Sequence, residues 1–206
     1  MKHITFILLF SLNSYAINSI GRAHQLAKEI HGYTSNLDQA MQPGNNVATI
    51  GFENSCDFRA SLNTIQDVID HPNNYDEIRI VQGTYDEGFT ITNKSINLRG
   101  GYANCADAEM NSFNTSVFAT IYQGSVATTP GLIIYSGINR EVVNINNIEF
   151  HSGTDLGLAT SGGINTISAD LELNLINVNL VSNIGTLGGG ISIQGGQTNV
   201  TARNIS

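Results

Sequence analysis

The sequence has no tryptophan, only three prolines and two cysteines in 206 residues, and just nine lysines and arginines together. Each shortage excludes something. Three prolines, with no glycine at every third position, rule out a collagen-like chain. Charged residues make up 13%, too few for a coiled coil or long helical bundle, which draws on Ala, Glu, Lys, Leu and Arg. Nine basic residues stand against 17 acidic ones, a formal charge of −8, and no basic run occurs. Binding by neutralisation of phosphates is therefore not expected, and nucleic acid is not an expected partner. The acidity reads as a contribution to solubility. What is plentiful is glycine, 21 residues, and asparagine, 25 residues, in a chain that is 41% hydrophobic. That is too apolar for a disordered chain. The composition fits a globular chain of many short strands and many tight turns.

The N-terminus reads as an export signal over residues 1–16. Met1-Lys2-His3 is a short basic start, and Ile4 to Leu12 is an apolar run. Ser14-Tyr15-Ala16 then places small residues at the two positions a signal peptidase reads. The run is far shorter than the roughly 20 residues a membrane-spanning helix needs, and no second apolar stretch follows. We therefore expect a secreted or cell-surface protein with no transmembrane segment in these residues. In an oxidising compartment the two cysteines, Cys56 and Cys105, are most simply a disulfide. Closing a loop of about 50 residues gives about 4 kcal/mol in the chain-entropy treatment.

Residues 17–46 carry little pattern and read as a poorly ordered lead-in, ending in the breaker Gln42-Pro43-Gly44-Asn45-Asn46. Order begins near Val47, and residues 47–206 read as one domain. Val47 to Phe52 alternates weakly and is a candidate strand. Residues 60–70 put Leu62, Ile65, Val68 and Ile69 on one helical face, and Pro72 stops the helix. This is the one helix expected in the ordered part. Beyond it the period falls to two: Ile78 to Val81, Phe89 to Ile91 and Ile96 to Leu98 are strands separated by turns, and Gly100-Gly101 closes the set. Three such strands fit one coil of a β-solenoid or a β-meander.

The C-terminal part repeats. Val143-Asn-Ile-Asn-Asn147-Ile-Glu-Phe150 aligns with Leu173-Asn-Leu-Ile-Asn177-Val-Asn-Leu180, and that segment with Val200-Thr-Ala-Arg-Asn204-Ile-Ser206. Asn147, Asn177 and Asn204 fall in one column, the signature of a turn that needs positive φ, which Asn tolerates. Gly162-Gly163-Ile164 repeats as Gly189-Gly190-Ile191, where the backbone bends too sharply for a side chain. A repeat of this length with a variable loop is one coil of parallel strands. A β-sandwich is the competing architecture, but it has no need of an Asn column. The chain stops at Ser206 inside a repeat, so further coils are expected beyond it.

These residues resemble a known group. Ile65-Gln-Asp-Val-Ile69, then Ile78-Arg-Ile-Val-Gln-Gly83-Thr84-Tyr85, then Ile91-Thr-Asn-Lys-Ser-Ile-Asn-Leu-Arg-Gly100, resemble the first coil of right-handed parallel β-helix proteins of the pectin-lyase-like superfamily. The Gly-Gly-Ile blocks resemble the repeats of bacterial polymorphic outer-membrane proteins. In those a Gly-Gly-apolar element pairs with a Phe-x-x-Asn element, approximated here by Phe150-His-Ser-Gly153 and Leu180-Val-Ser-Asn183. The resemblance covers roughly residues 50–206. It implies an all-β, right-handed parallel β-helix with a short N-terminal helical cap, and raises polysaccharide lyase and glycoside hydrolase activity as possibilities to test.

Such sites need carboxylates stacked on neighbouring coils, to hold Ca²⁺ or to act as an acid–base pair. The alignment supplies no acidic column. Glu149 stacks with Asn179, Glu172 with Val142 and Asn199, and Glu141 with Leu171. Asp170 stacks with Arg140, where an ion pair is expected. Asp155 sits alone in a loop. Asp76-Glu77 and Asp86-Glu87 flank a strand and read as solvated turn residues rather than cation ligands. His151 reads as a surface or turn residue, and Tyr85 and Tyr102 as core or turn aromatics rather than sugar platforms. Asn93, Asn114 and Asn199 begin glycosylation-type tripeptides, which matter only in a host that reads them. No catalytic, cofactor-binding or metal-ligating residue is assigned, and no cofactor is expected. The functional expectation is a non-catalytic part of an exported bacterial surface or secreted protein, of adhesin or passenger type, with polysaccharide or cell-surface components as partners. The alternative is a polysaccharide lyase or glycoside hydrolase cut short.

Overall fold

The computed structural model describes residues 46–116, 118–122, 130–155, 162–186 and 188–206. The expected export signal, residues 1–16, and most of the expected lead-in, residues 17–45, lie outside the described residues. Of the described residues 56% are strand and 7% helix. The chain runs β1 (Val47–Gly51), β2 (Phe58–Arg59), α1 (Ile65–Ile69), β3 (Glu77–Val81), β4 (Gly83–Tyr85), β5 (Phe89–Thr92), β6 (Ile96–Tyr102) and α2 (Cys105–Glu109). It continues with β7 (Ala119–Tyr122), β8 (Leu132–Ser136), β9 (Glu141–Asn146), β10 (Ile148–His151), β11 (Thr154–Asp155), β12 (Ile164–Val181), β13 (Ile184–Gly185) and β14 (Ile191–Ile205).

Twelve strands form one large sheet with the path β2-β1-β3-β6-β9-β12-β10-β7-β4; β8 and β14 also pair with β12, and β5 pairs with β8. β11 and β13 form a separate two-stranded sheet. The strand pairs are parallel throughout, for example β1 with β3, β6 with β9 and β12 with β14. Parallel neighbours cannot be joined by a tight hairpin, so partners are distant in sequence, the two-residue β2 excepted, which lies eight positions from its partners on β1. This excludes the meander reading of residues 78–98: β3 pairs with β1 and β6, while β5 pairs with β8.

Period-two alternation explains which side chains meet. Ile96, Val143, Leu173 and Val200 are successive register partners, as are Leu98, Ile145, Leu175 and Ala202. Ile121, Phe150 and Leu180 form another such row. Aliphatic residues thus stack on their counterparts at the strand spacing of about 4.8 Å. Nearly all of them are completely buried, the outermost strand excepted. On β14, Ile193 and Ile205 remain exposed.

Two short helices close on the sheet. α1 begins later than the apolar pattern suggests. Thr64 and Asp67 form a reciprocal capping box, so the helix starts at Ile65. Leu62 falls before the cap and is 77% exposed, outside the apolar face on which the sequence pattern placed it. Ile65, Val68 and Ile69 are buried. The Asp67 carboxyl is held below its ordinary range, chiefly by the backbone N–H of Thr64. α2 was not anticipated. Asn104 caps it by accepting from the Asp107 N–H at 2.8 Å. Cys105, at its start, is joined to Cys56, 49 residues earlier. Around this disulfide Val81, Tyr102 and Ala108 form a second small core, against which Phe113 packs.

Candidate functional surface

The chemistry of the described residues is concentrated in the polar columns of the sheet. The parallel register places like positions side by side, so each outward position is read as a row across several strands. Three rows matter.

The first is the turn after β9 and its counterparts. Asn147, Asn177 and Asn204 have φ of 53°, 54° and 55°, in the left-handed region. Asn177 Nδ2 donates to Asn147 Oδ1 at 2.8 Å and to the Thr115 carbonyl at 2.8 Å. Asn147 Nδ2 donates to the Asn114 carbonyl at 3.1 Å. The segment around Asn114 is thereby tied to the turn.

The glycines named from the sequence sit at close backbone approaches. A Cβ on Gly100 would fall on the Asn147 carbonyl, one on Gly162 on the Gly153 carbonyl, and one on Gly189 on the Asn183 carbonyl. One on Gly163 would meet the Gly190 carbonyl, and one on Gly101 the ring of Phe113. At Gly190 a Cβ would be in ordinary contact with Leu180.

The second row is Glu77, Asn97, Asn144, Asn174 and Thr201. Asn174 Nδ2 donates to Asn144 Oδ1 at 2.8 Å, and Asn144 Nδ2 to Asn97 Oδ1 at 2.5 Å. The chain of amides ends on Glu172, which accepts from Asn174 at 3.3 Å. Glu172 also takes Arg140, at 2.5 Å. This replaces the Asp170–Arg140 pair expected from the alignment. Arginine is long enough to reach along the strand to the next outward carboxylate, while Asp170 lies opposite Gln197. The Arg140 hydrogen bond holds the Glu172 carboxyl below its ordinary range.

The third row is Arg79, Arg99, Asn146, Ile176 and Arg203. Together with Glu77 it contains the deepest charges among the described residues. Glu77 is completely buried and Arg79 and Arg99 are nearly so. Arg79 Nε donates to Glu77 at 2.6 Å, and its Nη1 to the Ala108 and Glu109 carbonyls at 2.7 and 3.2 Å. The expectation that Asp76-Glu77 is a solvated turn therefore fails for Glu77: α2 lies over this part of the sheet. It fails for Glu87 as well. Glu87 accepts from the Ile65 N–H at 2.8 Å, capping α1 from another element, and its second carboxylate oxygen is buried without a partner. Burial pushes the Glu87 carboxyl up.

Tyr85 and Tyr102 are buried. Tyr85 donates to the Val81 carbonyl at 2.8 Å, and Tyr102 to Asn111 Oδ1 at 2.7 Å. Burial raises both phenols. His151 is half-buried, 5.5 Å from the Tyr122 ring, and its Nδ1 is hydrogen-bonded to Ser152 Oγ at 2.7 Å. Beside it Asn179 donates to Glu149 at 3.3 Å. Asn93 lies in a left-handed turn, with φ 47°. Asn114 Oδ1 accepts from the Ser116 N–H at 2.9 Å, and Asn199 is exposed on β14.

Among the described residues no carboxylate has another as its register partner. Glu149 lies between Thr120 and Asn179, Glu172 between Val142 and Asn199, and Glu141 beside Leu171. No cluster of three or more His, Cys, Asp or Glu able to hold a metal ion occurs among them. No helix among them is long and apolar enough to cross a membrane. Comparison with protein-family models, with curated proteins and with solved structures finds no match to this chain.

The buried charges were the part of this surface that sequence reading missed. The local pattern carried no signal: Glu77, Arg79 and Arg99 alternate with buried Ile78, Ile80 and Leu98, where a charge on the opposite face is unremarkable. α2, five residues long, and Phe113 beyond it cover that face.

Proposed function

We propose that this chain is an exported right-handed parallel β-helix with a short N-terminal helical cap, resembling the pectin-lyase-like superfamily. It serves as a non-catalytic part of a bacterial surface or secreted protein of adhesin or passenger type. Its outward polar columns contact polysaccharide or other cell-surface components. The observation that carries this reading is the spacing of the parallel partners. Residues that meet across β9, β12 and β14 are 30 and then 27 positions apart, with an asparagine at the same left-handed turn position each time. Such a return once per repeat supports the reading of stacked coils. The Cys56–Cys105 disulfide points to an oxidising, extracytoplasmic compartment. Half-buried amides such as Asn97, Asn144 and Asn179, on strands about 4.8 Å apart, offer donors and acceptors to a polyhydroxylated ligand.

The experiment is a binding assay on a panel of immobilised polysaccharides and intact bacterial surfaces. The same ligands are then assayed for new reducing ends and unsaturated products. Binding without turnover is the expected outcome. Turnover would establish the lyase or hydrolase alternative, and absence of binding to every surface would refute the contact role.

A further inference from the structure

Within the row Arg79, Arg99, Asn146, Ile176 and Arg203, the two buried arginines are served unequally. Arg79 has a carboxylate at 2.6 Å and two helix carbonyls. Arg99 shares the same carboxylate oxygen only at 3.5 Å, through Nη1. Its guanidinium lies over the Phe113 ring, 5.3 Å from the centroid, and its Nε is buried without a hydrogen-bond partner. The residue opposite it on β9 is Asn146, 4% exposed, with neither Nδ2 nor Oδ1 partnered. Three orphaned polar atoms thus belong to two register neighbours on one covered face of the sheet.

Among the described residues, the charges at this point are Glu77 and Arg79 from β3, Arg99 from β6 and, further along the row, Arg203 from β14. On α2, Asp107 turns its carboxylate to Asn104, 2.9 Å away, and Glu109 is exposed. Among the described residues, two buried guanidinium groups therefore answer to one buried carboxylate. Taking an uncompensated charge out of water costs far more than doing so with a neutral amide. A water molecule could satisfy the orphaned hydrogen-bonding atoms, but it could not balance the charge.

We propose that Arg99 and Asn146 form a buried binding site for a small monovalent anion of halide size, with Arg99 Nε and Asn146 Nδ2 as its donors. Asn146 Oδ1, which repels an anion, takes its hydrogen bond from a water accompanying the ion. The ion completes the neutralisation that Glu77 alone leaves unfinished, and it ties β6 to β9 beneath Phe113.

The test is equilibrium unfolding of the intact, disulfide-bonded chain in sodium bromide, compared with sodium gluconate at equal ionic strength. Gluconate is too large for a covered site. The folding equilibrium constant should rise about tenfold for each tenfold increase in bromide above its dissociation constant and stay flat in gluconate. Asn146→Asp places a carboxylate beside Arg99, and Asn146→Leu removes the donor; both should lose the bromide response. Crystals grown in bromide should show an anomalous peak within hydrogen-bond distance of Arg99 Nε. Equal stability of the unaltered chain in the two salts would overturn the proposal. So would a bromide response undiminished in both variants, or a water alone at that position in the bromide crystals.

Discussion

Asn147 is a position where backbone conformation and side-chain bonding can be separated by two substitutions. It is completely buried, sits at φ 53°, donates to the Asn114 carbonyl and accepts from Asn177 Nδ2. Replacement by alanine removes both side-chain bonds, at about 1 kcal/mol each. It also forces a Cβ-bearing residue without local hydrogen bonding into the left-handed region, at about 1–2 kcal/mol. The expected total is about 3–4 kcal/mol. Replacement by glycine loses the same bonds but has no left-handed penalty, so it should cost about 1–2 kcal/mol less than alanine. The measurement is urea unfolding followed by far-ultraviolet circular dichroism, since the chain has no tryptophan. At an m-value of roughly 2 kcal/mol per molar, the glycine variant should unfold at roughly 0.5–1 M higher urea than the alanine variant. Equal midpoints would refute the claim that the left-handed backbone is why asparagine stands there.

Two further outcomes are expected. Replacing Cys56 and Cys105 by serine should cost about 4 kcal/mol, because the bond closes a loop of 49 positions; unchanged thermal stability under reducing conditions would contradict this. Glu87, whose carboxyl burial pushes up, binds its proton more tightly in the folded state than in the unfolded chain. Stability is therefore lost as pH rises from the unfolded value of about 4.3 through the raised folded one. Glu87→Gln has no such step. Its stability relative to the unaltered chain should grow from about pH 4 to neutrality, and a pH-independent difference between the two would show that the carboxyl is not perturbed.

Much of the sheet was legible because alternation is a local property. Val143, Leu173 and Val200 could be aligned by eye, and they meet in the structure. The disulfide followed from the export expected of the N-terminal pattern and from there being only two cysteines. What escaped was set by residues far apart in sequence. The apolar face from Leu62 to Ile69 promised a longer helix, but the Thr64–Asp67 capping box is a stronger start signal than one more leucine. α2 is one turn and a half long and shows no periodicity of its own; a disulfide and two carbonyl–arginine bonds hold it in place. Glu77 and Glu87 look like turn acids beside a strand. Their burial is decided by α2 and α1, packed on them from other parts of the chain. Arg140 chose Glu172 over its alignment partner because side-chain reach, unlike backbone register, is not restricted to directly opposed positions.

The near-constant distance between partners in β9, β12 and β14 has a kinetic meaning. Closing a loop of about 30 residues costs about 3 kcal/mol of chain entropy, on a scale that grows only logarithmically with length. Each of these strands therefore meets the same closure barrier when it joins the one before it, whatever the size of the sheet already formed. Strand pairing across greater sequence separations folds more slowly. Here β14 needs only β12 as its template, and β12 only β9 and its neighbours. Folding along this part of the chain can advance as a zipper, each strand docking as soon as its template is in place.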